Sequence, residues 1–112
     1  MDMPRWIERR LSEISKINKD YESICLSYKN ECFDLLVDIL EVYGELKVRN
    51  KLTVIYSDDS GKFKKGIVLK IYDDKKEDCI IFEMKDGTRI FAESIEITSW
   101  NDICKSVEES LS

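Results

Sequence analysis

Residues 52–98 read LTVIYSDDSGKFKKGIVLKIYDDKKEDCIIFEMKDGTRIFAESIEIT, short β-branched and aromatic runs cut at close intervals by turn residues. Residues 52–56 make the first extended run, because side chains of that kind fit a pleated, half-buried surface. Residues 58–62 are a turn, 66–72 a second strand, 73–78 a charged loop and 79–84 a third strand. In the tight hairpin at 85–88 the Asp86-Gly87 pair favours positive φ. Residues 89–92 form a fourth strand, and the clean alternation of Ser94, Ile95, Glu96, Ile97 and Thr98 predicts a short fifth. Five short strands with tight links make a meander, which must curl to lose its edges, and that predicts a small barrel.

Upstream, the period is helical. Ile7, Leu11, Ile14, Asn18, Tyr21, Cys25, Tyr28, Cys32, Leu35, Ile39, Val42 and Leu46 follow alternating spacings of four and three, with Asn18 the one polar break. Such spacings keep side chains on one helical face, so residues 7–46 read as a single stripe. Asp2 and Pro4 suit a helix start. The heptad phase survives the junction at Asn18-Lys19-Asp20, which favours a continuous or merely kinked helix. Asp20 as a cap would instead divide the segment into a helical hairpin. From residue 32 to 43 the run CFDLLVDILEVY is apolar on most sides and must be buried; Gly44 is the natural end.

Downstream, Asn101-Asp102 suits the cap of a closing helix with Ile103, Val107 and Leu111 on one side. The fold expected is α+β. A long N-terminal helix or helical hairpin (1–46) feeds a five-stranded bent antiparallel sheet with a short C-terminal helix (47–112). Phe33, Leu36 and Leu40 would cover the open side of the sheet. The upstream stripe would pair with a second chain as a coiled coil, Asn18 setting its register.

The strand pattern of 52–98 resembles the small SH3-like or Sm-like barrels of bacteria. It looks most like the barrel of YolD-like proteins, and more distantly that of Rho-binding antiterminators. The resemblance implies a barrel and, since folds host many functions, little about activity. The loop residues that hold RNA in Sm proteins have no convincing match here.

Composition narrows the function classes. The chain has 112 residues, 43% apolar and 37% charged, with a net charge of −5. That balance is poor for non-specific binding to DNA or anionic membranes. Residues 1–46 carry six basic and ten acidic side chains, whereas 47–100 carry eleven and ten, so a nucleic-acid surface would need local clustering in the second region. The start lacks an apolar signal core, and no stretch is long and apolar enough to span a membrane, so a cytoplasmic protein with reduced cysteines is expected. Cys25 and Cys32 would stand roughly 10 Å apart along a helix, too far to bridge.

No histidine is present, which removes Ser-His and Cys-His pairs and His-ligated metals. The cysteines at 25, 32, 79 and 104 lack C-x-x-C spacing, so no zinc site is expected and all four read as structural. No catalytic residue, metal or cofactor is assigned. The pairs Asp58-Asp59 and Asp73-Asp74 lie beside lysines and read as solvated loops. Trp6, beside Arg5, Arg9 and Arg10, suits an interface anchor. The interface expected comprises Trp6, Ile7, Leu11, Ile14, Asn18, Tyr21, Tyr28 and Leu35. Lys64, Lys70 and Tyr72 share a strand face if no bulge intervenes, and with Arg89 they form a candidate nucleic-acid face.

The function expected is a small non-enzymatic regulator or inhibitor acting by contact with itself or another protein. Such a chain would suit a phage or mobile element. The alternatives are an RNA-binding regulator and a barrel holding a small ligand such as a nucleotide.

Overall fold

The run beginning at Phe63 organises the sheet. The computed structural model describes residues 3–17 and 22–111, with backbone alone for 22–25. Its longest strand, β3 (Phe63–Asp74), takes β1 (Glu45–Lys47), β2 (Thr53–Ser57) and β4 (Cys79–Met84) as direct partners, and β5 (Arg89–Phe91) joins through β4. All pairings are antiparallel. β2 occupies the first half of β3, with Val54 opposite Gly66, and β1 the second half, with Leu46 opposite Ile71. Phe82 of β4 lies between Ile71 and Ile90, so these three form a row across one face of the sheet.

The register shifts between Val68 and Lys70, the signature of a β-bulge. Before it the even residues point inward: a Cβ added at Gly66 would lie 2.9 Å from Met84 Sδ and 3.2 Å from Tyr56 Cε1. After it the odd Ile71 points inward and is fully buried. The strand therefore turns its two halves against different partners while keeping Val68 and Ile71 on the interior.

Three helices cover that interior: α1 (Arg5–Ser15), α2 (Glu22–Tyr43) and α3 (Trp100–Leu111). Leu36 and Leu40 are buried as expected, and Phe33 packs half-buried with them. Trp100 stands edge-on to Phe33 and Phe82, with centroids at 6.1 and 5.9 Å. Ile103, Val107 and Leu111 of α3 are buried on the expected side. Gly44 ends α2 at φ 81, its N–H bonded to the Leu40 carbonyl at 2.8 Å, a conformation that glycine adopts without strain.

Three expectations are corrected. First, α1 stops at Ser15 and folds back on α2. Arg10 is ion-paired with Asp38, 28 positions along; a continuous helix would hold them about 42 Å apart. The hairpin reading thus holds and the long-helix reading does not; Asn18, Asp20 and Tyr21 lie outside the described residues. Second, residues 94–98 are no strand. They form a single bridge, Ile95 to Tyr56, between 3-10 turns at Ala92–Ser94 and Ile97–Ser99. The Glu96 carboxylate accepts from the N–H of Thr98 and so caps the second turn, a local competitor that defeats the alternation. Third, the fifth strand is β1, in a segment where no strand was expected and whose Leu46 had been counted with the helical stripe.

Candidate binding surfaces

The expected N-terminal interface is largely interior. Ile7, Leu11, Ile14, Tyr28 and Leu35 are all buried in the chain's own core, beside Leu36 and Ile39. The stripe is apolar because α1 and α2 cover one another and the sheet. Burial pushes the Tyr28 phenol well above its ordinary pKa, and contact with the thiols of Cys104 and Cys32 pushes it further, so it stays neutral. Trp6 is half-buried on α1, beside a surface groove of about 800 Å³ flanked by Arg5, Arg9, Ser12 and Lys16.

The expected basic face is divided by the bulge. Lys64 lies opposite Tyr56, in the inward phase of β3, and pairs with Asp58 at 3.4 Å. Lys70 and Tyr72 lie after the shift, on the outer face, with the Lys70 ammonium 5.4 Å from the Tyr72 ring centroid. Lys70 also meets Glu45 at 3.5 Å and Glu83 at 4.0 Å, and Arg89 meets Glu83 at 3.7 Å. Lys70, Tyr72 and Arg89 thus gather on the outer face, where Glu45 and Glu83 pair with the two cations, while Lys64 stands apart from Lys70 and Tyr72. A cleft of about 550 Å³ opens beside it between β2 and β5, where Lys64, Lys65 and Arg89 are matched by Asp58, Asp59 and Asp86 beside Tyr56 and Phe91.

A surface the residue-by-residue reading missed runs along the outside of β3. Phe63, Lys65 and Ile67 face outward opposite Ser57, Ile55 and Thr53, and Leu69 follows at the bulge. Phe63 is 70% exposed and Leu69 48%. The signal was present in KFKKGIVLK, where the odd positions 63, 65, 67 and 69 are Phe, Lys, Ile and Leu. Reading it required the phase of the strand, and that phase depends on which residues the helices bury.

The titrating groups point to structure. Asp58 accepts from the hydroxyl and N–H of Ser60 and from the N–H of Lys62, which hold its carboxyl down at about 2. Asp86 does the same for Thr88 and is likewise lowered. Partial desolvation and then Asp74 raise the Cys79 thiol, a poor setting for a nucleophile. Among the described residues no group of three or more Cys, Asp or Glu side chains is placed to hold a metal ion, and no helix is long and apolar enough to cross a membrane. Compared with known family models, curated proteins and solved structures, the chain matches none.

Proposed function

We propose that this chain is a small, non-enzymatic cytoplasmic protein that acts as a regulator or inhibitor by binding another protein through the outer face of its sheet. The observation that carries this reading is the contrast between a consumed seam and an uncovered row. The apolar residues first assigned to association are interior, whereas Phe63 and Leu69 remain exposed on a strand whose other face is packed. Exposed aromatic and aliphatic side chains in one row are what partner proteins desolvate. The sheet belongs, in this reading, to an SH3-like barrel. Two links support closure: the bridge from Ile95 to Tyr56, and the hydrogen bond from the Glu96 N–H to the Ile55 carbonyl at 2.7 Å.

Size exclusion coupled to light scattering, over a concentration series, tests this with the wild type beside the Phe63→Ser/Leu69→Ser double variant. Assembly that rises with concentration and is lost in the variant makes a second copy the partner. A monomer at every concentration points to a foreign protein, which the wild type should capture and the variant should not. Equal behaviour of both proteins in both assays would sink the reading.

A second reading, binding of single-stranded RNA, draws on the cleft where Lys64, Lys65 and Arg89 meet Tyr56 and Phe91. It predicts salt-sensitive binding of short single strands that Lys64→Ala and Arg89→Ala weaken together.

A further inference from the structure

We infer that the outer row of β3 takes a short acidic protein segment bearing apolar side chains; this rests on the protein-binding reading above. The row is linear. Phe63, Lys65 and Ile67 alternate on an extended strand, so successive side chains stand about 6.6 Å apart. Leu69 extends the row past Ile67, and Ile55 of β2 stands beside Lys65. The apolar part is Phe63, Ile67 and Leu69 with Ile55, an aromatic at one end and aliphatics along the rest.

Charge selects the partner. The segment from Lys62 to Lys70 contains four lysines and no carboxylate, in a chain of net charge −5. Lys64 and Lys70 are already engaged by Asp58, Glu45 and Glu83. Lys62 and Lys65 make no ion pair among the described residues, and they flank the exposed Phe63. On the adjoining turn Asp58 is occupied by Ser60, Lys62 and Lys64, so Asp59 is the one exposed carboxylate set against the two ammonium groups. An incoming carboxylate therefore finds two unpaired ammonium groups, whereas an incoming lysine meets like charge.

The aliphatics favour protein over nucleic acid. Bases stack on aromatic platforms, and this row offers one exposed ring among Ile and Leu. Apolar side chains of a protein segment bury against all of them.

Fluorescence anisotropy on the full chain tests the inference with three labelled short peptides that share alternating leucines. One has Glu, one Ser and one Lys at the intervening positions, and a labelled oligouridine is run beside them. The Glu peptide should bind saturably, at least about tenfold more tightly than the Lys peptide, and weaken as salt rises. Phe63→Ser and Lys65→Glu should each weaken it about tenfold, while Val42→Ser, at an exposed site on α2, should leave it unchanged. Both β3 sites are exposed, and a thermal melt confirms that the variants fold. Equal binding of all three peptides, still dependent on Phe63, overturns the acidic preference and leaves the protein-binding reading standing. Binding by none of them overturns both. Tighter, Phe63-dependent binding of oligouridine also overturns both and assigns the row to nucleic acid.

Discussion

Ile71 and Phe63 belong to the same strand, yet Ile71 has no exposed surface and Phe63 keeps 70% of its own. The inner face of β3 meets Phe82, and above that row lie α2 and α3 with Trp100 between two rings. The outer face leaves Phe63 and Leu69 exposed. Similar residue types therefore meet opposite surroundings on the two sides of one backbone. Apolar character in this chain marks either core or exposed surface, and which of the two depends on what packs against it.

The largest expected effect comes from charging the covered side. Ile14→Asp or Leu35→Asp buries an unpaired carboxylate, a cost of several kcal/mol against a typical total of about 5–15 kcal/mol. Each variant should lose its cooperative thermal transition by circular dichroism. A variant that stays folded but dissociates would restore the seam as an interface. Phe82→Ala should cost about 3–5 kcal/mol in denaturant unfolding; a loss below about 1 kcal/mol would mean that the inner face is loosely packed. Gly66→Ala forces a methyl against Met84 and Tyr56, and should cost about 1–3 kcal/mol, reduced to the extent that the Met84 side chain swings away. On the uncovered side, Phe63→Ser and Leu69→Ser should each change stability by less than about 0.5 kcal/mol. A larger loss would show that something of the chain's own covers them.

The smallest effect is a pH dependence at the tip of the β2–β3 hairpin. The carboxyl of Asp58 is held at about 2, below its ordinary 3.8. A lowered value means the contribution is present above the ordinary value and is lost as pH falls through the lowered one. Replacing Asp58 with Ala should thus flatten a shallow decline in urea midpoint between about pH 4 and pH 2, and leave the midpoint's pH dependence unchanged elsewhere. The group is solvent-exposed, so the decline should be slight.

Much of the fold was legible because local chemistry enforces it. The β-branched runs, the Asp86-Gly87 turn, the stop at Gly44 and the face of α3 follow from rules that act within a few residues. The Ser94–Thr98 alternation failed for a local reason too, since the Glu96 side chain offers the Thr98 N–H a partner within two residues. The binding candidates were less legible. Lys64 and Tyr72 share parity in the sequence but are divided by a bulge with no local marker. β1 is three residues long, and its pairing with β3 outweighs the weak preference of Glu45-Leu46-Lys47.

The sequence by itself determined the α+β class, the stripe of apolar residues and the positions of most turns. The tertiary structure decided where that stripe goes, which lysines share a face and which apolar row stays open. The reason is that propensity and capping act along the chain, whereas burial is settled between distant segments. A heptad stripe satisfies its need for cover equally well against a second chain or against its own sheet, and only the packed arrangement of α1, α2 and β3 shows that this chain covers it internally.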